Sequence, residues 1–192
     1  MSIRESVSDA IGLKLNTKRL NRHRQQTTTP REIMAPFLPD LTIAELLGVH
    51  SAVLSELKRR GVVRSKYNPT GDYAEWLVSE KLGLVLKTNS SKGFDATDQR
   101  GLRYQIKGRR VTPDNPSTQL GVIRNLENAD FDFLVGLIFD EDWRILRAAK
   151  MPHGNVSSLA TFRAHQNGHI MHLRPSVFAV AGVEDITDSL RR

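Results

Sequence analysis

The sequence predicts an α/β fold ordered helix, three strands, helix, strand, with a small all-helical unit ahead of it. Three observations lead there. Residues 72–82 place Ala74, Leu77, Val78 and Leu82 at helical spacing and stop at Gly83. Residues 102–111, LRYQIKGRRV, alternate with a period of two after two shorter strand-like runs, LVLK and GFDAT. FDFLVGLIF, at 131–139, is an apolar run suited to a strand covered on both faces.

The 192 residues include no cysteine and carry 28 Lys+Arg against 21 Asp+Glu, a formal charge of +7. A disulfide scaffold is excluded, and the positive balance favours a polyanionic partner, nucleic acid foremost. No apolar run approaches the ~20 residues that span a bilayer, and the first ten residues lack the order of a secretory signal. A cytoplasmic protein without membrane contact is expected.

Along the chain, residues 1–31 form a basic arm or linker, polar and threonine-rich over 18–31; a solvated tail is the plainer reading. Residues 32–67 read as a helical unit. Thr42 caps a short helix that Gly48 breaks, and Ser51 caps a second that ends at Gly61 behind Lys58, Arg59 and Arg60. That spacing suits a helix-turn-helix, or equally an αα-hairpin whose basic last turn complements the helix dipole. Residues 68–192 hold the α/β domain. Within it, 117–127 is expected to be helical, with Leu120, Ile123 and Leu126 on one side, and Asp140-Glu141-Asp142 turns the apolar strand into WRILRAAKM. A helix near 155–165 and strands near 169–173 and 177–181 complete the tail.

Chemistry concentrates in the hairpin. Gln105, Lys107 and Arg109 share one face of the third strand, and whether Asp95 joins them depends on the loop, because a one-residue slip flips every side chain. A two-residue loop would leave Asp95 opposite Tyr104 on the apolar face. A three-residue loop, 99–101, puts Gly101 where a type I turn plus bulge needs positive φ, and pairs Asp95 with Gln105. A carboxylate, an amide oxygen and an ammonium then converge. Such a patch suits phosphodiester hydrolysis with a hard divalent ion. Glu75, in the preceding helix, is a second carboxylate, although Asp72 and Glu75 also have the spacing of a capping box with Asp72 as N-cap.

Gly93-Phe94-Asp95, nine intervening residues and then Gln105-Ile106-Lys107, after a helix carrying Glu75, resembles the PD-(D/E)XK nuclease superfamily over roughly residues 72–140. The resemblance implies a restriction-endonuclease-like core, with Asp95 as the metal-binding aspartate and Gln105 in the place of the second acidic ligand. It likewise implies Lys107 as the catalytic lysine and Glu75 as the helix glutamate. No proline precedes Asp95, and a neutral glutamine stands where the superfamily usually has Asp or Glu. The implied cofactor is Mg²⁺, with Mn²⁺ as a substitute.

The sequence therefore points to a metal-dependent endonuclease of duplex DNA, with a homodimer compatible with that activity. Lys58, Arg59, Arg60, Arg64, Lys66, Arg109 and Arg110 are the expected phosphate contacts. The competing reading is a DNA-binding or regulatory protein on the same fold that lacks a working metal site. An RNA-directed or protein-interaction module fits less well, because no aromatic residues are interleaved with basic ones on a strand. The close spacing of His165, His169 and His172 could suggest zinc, but Gly168 interrupts any helix and a strand through 168–173 would put His169 and His172 on opposite faces; no HExxH, phosphate-cradling glycine loop or GxSxG is present.

Overall fold

The structure, a computed structural model, describes residues 37–65, 67–87 and 93–192. The expected basic arm, 1–31, and Lys66 lie outside the described residues. The chain divides into two compact units, 1–53 and 54–192.

The described part of the first unit begins with a 3₁₀ turn, Leu38–Asp40, and enters helix α1, Ile43–Arg59, which runs on into the second unit. Its start follows the expected cap. Thr42 donates its N–H and hydroxyl to Glu45 Oε2 (2.8 and 2.7 Å), and Glu45 N–H donates to Thr42 Oγ1 (3.3 Å), a reciprocal box. The expected break at Gly48 does not occur. The helix continues through it, and Ser51, instead of capping a second helix, donates its hydroxyl back to the Leu47 carbonyl (2.9 Å). A helical glycine costs only about 1 kcal/mol, and good helix formers on both sides carry the helix across it. Neither a helix-turn-helix nor an αα-hairpin is therefore formed over 42–60. The chain turns at Gly61, which has φ +74°.

The second unit is mixed α/β. Helix α2 is Thr70–Leu82, closed by Gly83 in the left-handed region (φ 64°). The strands are β1 Val85–Leu86, β2 Ala96–Thr97, β3 Arg103–Arg110, β4 Phe133–Phe139, β5 Ile145–Pro152, β6 Thr161–Arg163, β7 Gly168–Ile170 and β8 Glu184–Asp185. Two short helices, α3 His153–Leu159 and α4 Thr187–Arg191, follow β5 and β8. Six strands form one sheet in the order β1-β2-β3-β4-β5-β8, in which only β3 and β4 run parallel.

The apolar run of β4 is covered on both faces, as its sequence predicts. Val135, Leu137 and Phe139 pack with Ala74, Leu77 and Val78 of α2 and Leu190 of α4, while Leu134 and Ile138 join Leu120, Ile123, Met171 and Leu173 on the other face. The expected helix over 117–127 is absent. Leu120, Ile123 and Leu126 are buried as anticipated, but the chain is irregular, with isolated bridges at Gln119 and Ile123, until a 3₁₀ turn at Leu126–Asn128. Its backbone bonds to a distant segment: Ile123 exchanges N–H and carbonyl with His169 (2.9 and 2.7 Å), and Leu120 N–H donates to the Met171 carbonyl (2.9 Å). Pairing with 169–173 satisfies the backbone groups that a local helix would have satisfied internally, and tertiary context overrides the helical spacing. In the tail, the helix stops at Leu159, and 177–181 holds part of a 3₁₀ turn, Pro175–Ala179, instead of a strand. No helix among the described residues is long and apolar enough to cross a membrane.

Candidate functional site

The site starts from one glycine. Gly101 has φ +81°, Gly101 N–H donates to the Asp98 carbonyl (3.0 Å) and Asp98 N–H to the Leu102 carbonyl (3.0 Å), so the loop holds three residues, 99–101. The ladder that follows pairs Thr97 with Arg103 and Ala96 with Tyr104. One further step sets Asp95 opposite Gln105, the register expected from the sequence.

Beyond that step the two strands part. Asp95 N–H still donates to the Tyr104 carbonyl (2.8 Å), but the next N–H of β3, from Ile106, donates to the Asp95 carboxylate oxygen Oδ2 (2.6 Å). The Gln105 amide Nε2 donates to the same oxygen. Gly93 permits the entry into this bend, having φ +96° and lying so close to Asp130 that an ideal Cβ would sit 2.4 Å from Asp130 Cβ. From Lys107 onward β3 pairs only with β4 among the described residues, which leaves an edge beside the carboxylate. The Lys107 ammonium makes no hydrogen bond or ion pair among the described residues, and its stem passes Gly121, where an added Cβ would lie 3.5 Å from Lys107 Cδ.

Glu75 approaches that edge from α2. Gly108 lets the helix come close: an ideal Cβ at 108 would sit 2.7 Å from Ala74 Cβ. Burial first, and then the charge of Asp95, push the Glu75 carboxyl up to about 7 against the opposing charges of Arg64 and Lys107. Glu75, Asp95 and Lys107 therefore share one electrostatic environment. The capping box over 72–75 does not form. Asp72 instead accepts the backbone N–H groups of Arg64 (2.9 Å) and Ser65 (3.1 Å), and the Arg64 guanidinium binds both Asp72 Oδ1 (3.3 Å) and Glu75 Oε2. Burial works against the Asp72 charge, but these donors and the guanidinium hold its carboxyl below the ordinary range.

The expected phosphate contacts fare unevenly. Arg59 and Arg60 are exposed and both pair with Glu56 (2.7 and 2.8 Å); Lys58 shares their helical turn. Arg64 belongs to the carboxylate cluster. Arg109 donates to the Ser117 carbonyl (3.1 Å) and Asn115 Oδ1 (2.9 Å), while Arg110 donates to the Glu141 carbonyl (2.7 Å) and lies 4.9 Å from the Trp143 ring centroid. Both brace loops around the sheet.

Two contributors escaped the sequence reading. Lys87 donates its backbone N–H to the Asp95 carbonyl (2.8 Å) and sets its ammonium 4.4 Å from the Phe94 ring centroid. Its place at the end of the predicted strand LVLK was the only signal. The second is the use of Arg64 as counter-charge to Glu75, for which a guanidinium in a basic run left no signal. Among the described residues no group of three or more His, Asp or Glu side chains could hold a metal ion. The oxygen donors at this edge are two carboxylates and an amide. In sequence comparison, no family model matches the chain, and no curated protein matches it.

Proposed function

We propose that the chain is a divalent-metal-dependent nuclease that hydrolyses phosphodiester bonds of duplex DNA, on a variant of the restriction-endonuclease-like PD-(D/E)XK core. The observation that carries the reading is the register: Asp95 and Gln105 face each other where β2 leaves β3, with Lys107 two residues on and Glu75 within electrostatic reach. The order of α2, the β2–β3 hairpin and the parallel neighbour β4 supports the reading, whereas the expected helix over 117–127 is absent.

The donor set suits a hard cation. Asp95 commits Oδ2 to two N–H donors and keeps Oδ1, and Gln105 commits Nε2 and keeps Oε1. With Glu75, these oxygens would hold Mg²⁺ or Mn²⁺. A bound ion would polarise the phosphoryl group and acidify a water. Lys107 supplies a positive charge to steer that water or to offset charge on the phosphate. Arg64 holds Glu75 Oε2, which leaves Oε1 as the oxygen that would face the cation.

One contact favours a second reading, a DNA-binding protein with a retired site. The Gln105 amide satisfies the Asp95 carboxylate without any cation. Plasmid nicking in Mg²⁺ and in Mn²⁺ separates the two. Wild type should cut, Asp95→Asn and Lys107→Ala should lose at least ~100-fold in rate, and Gln105→Glu should keep or raise activity. If wild type never cuts while Gln105→Glu does, the second reading holds. If Asp95→Asn cuts as wild type does, the site is misassigned.

A further inference from the structure

From Arg144 to Val183 the sequence contains no aspartate or glutamate, while Arg144, Arg147, Lys150, Arg163, Arg174 and four histidines fall in the same stretch. Three of these cations have partners within the fold: Arg144 with Asp142 (3.7 Å), Arg147 with the Leu173 carbonyl (3.3 Å) and Lys150 with Glu184 (3.2 Å). Arg163 and Arg174 are exposed and make no hydrogen bond or ion pair through their side chains among the described residues; the same is true of Arg124, on the segment that runs past Lys107.

Topology brings two of the unpaired arginines together. The antiparallel pair β6–β7 sets Arg163 opposite Gly168. On the other side of β7, Ile123 bridges His169 in antiparallel sense, and one step along that register places Arg124 opposite Gly168 as well. Contact agrees, because a Cβ at Gly168 would lie 3.4 Å from Arg124 Cγ and 2.5 Å from Val122 Cγ1. Directly opposed residues in antiparallel pairing share a face, so Arg124, Gly168 and Arg163 form one row across β6, β7 and the bridged segment beside them, with the two arginines about 10 Å apart at the backbone. Ile123 turns to the other face and into the core. The outward row thus carries two charged forks with a glycine between them. His165 is exposed at the tip of the hairpin, and Glu127 is the one acid between Asn115 and Ala129.

The layer also adjoins the candidate site, since Gly121, beside Val122, is the residue that Lys107 passes. We infer that the Arg124–Gly168–Arg163 face grips the phosphate backbone of the duplex whose scissile bond is offered to Asp95 and Lys107. Two separate guanidinium forks suit successive phosphates, and segments poor in carboxylates beside them raise the local concentration of a polyanion. This assignment rests on the reading of the partner as DNA, but not on cleavage. It moves the principal phosphate contacts away from Arg109 and Arg110, which the fold employs internally.

The test is binding of the full chain to a labelled 30-base-pair duplex without divalent ions, so that no cutting intervenes, over a series of salt concentrations. For Arg124→Ala/Arg163→Ala the slope of log K against log salt should become shallower by about 1.8, and either single substitution to Gln should give about half of that. A control that removes two other exposed charges, Lys81→Ala/Arg192→Ala, should leave the slope unchanged. A thermal melt checks folding, and the single Gln variants carry the test if the double variant unfolds. If wild type binds and the arginine variants keep its slope, or lose no more than the control, the assignment of this face is overturned while the DNA reading stands. If wild type binds no duplex at any salt, both fall together. Tighter binding of single-stranded RNA would overturn duplex DNA as the occupant.

Discussion

Replacing Gly108 by alanine tests how closely α2 must seat on β3 for Glu75 to reach the site. An ideal Cβ at 108 would lie 2.7 Å from Ala74 Cβ and 3.0 Å from the Thr70 carbonyl oxygen. Carbon atoms in contact settle near 3.5–4.0 Å, so the first turns of α2 must retreat by roughly 1 Å. Neither neighbour can yield on its own, one being backbone and the other a methyl without rotamers. Overpacking of this kind costs about 1–3 kcal/mol, and at about 2–4 °C per kcal/mol for a chain of this size the melting temperature should fall by about 2–12 °C. Thermal unfolding followed by circular dichroism measures it. Gly121→Ala is the internal comparison: its Cβ would stand 3.5 Å from Lys107 Cδ, an ordinary contact, and should shift the melt by no more than about 2 °C. Adding Ala74→Gly to Gly108→Ala removes one clashing partner, although a helical glycine itself costs about 1 kcal/mol. The double variant should thus be less destabilised than the sum of the singles. Wild-type melting of Gly108→Ala, or strict additivity in the pair, would refute the close seating and with it the route of Glu75 to Asp95.

The remaining predictions concern charge. Gln105→Glu sets a second carboxylate against Asp95 and removes the amide donor between them, so in EDTA it should melt below wild type near pH 7.5, and Mg²⁺ should restore it by a larger margin than it stabilises wild type. A Gln105→Glu protein equally stable with and without Mg²⁺ would count against the cation site. Glu75, raised from an ordinary value of 4.5 to about 7, holds its proton more tightly in the folded chain than in the unfolded one. The penalty is therefore absent below pH 4.5, grows between 4.5 and 7, and is complete above 7, reaching about 3 kcal/mol at most. Metal-free wild type should lose stability to urea over that range, and Glu75→Gln should lose less; parallel pH profiles would reject the burial argument.

Local sequence decided the elements whose signals act over a few residues. Gly101 must take a positive φ, and that requirement alone chose the hairpin register and so the facing of Asp95 and Gln105. Gly83 ended α2, and the apolar run at 133–139 became a strand buried on both sides, because a left-handed glycine and an unbroken β-rich stretch have few alternatives. Where two local solutions cost about the same, tertiary structure chose. Gly48 could stop or continue a helix, and it continues. Asp72 could cap its own helix, yet it takes the N–H groups of Arg64 and Ser65, and the Arg64 guanidinium is turned to Glu75. Residues 117–124 had helical spacing but found backbone partners some fifty residues away, at 169–173, and no local pattern reports such a partner. The same long-range pairing creates the Arg124–Arg163 row. Its two arginines stand 39 residues apart in the sequence, in no basic run, and become neighbours only because a hairpin must satisfy its edge hydrogen bonds against a strand that would otherwise have been a helix.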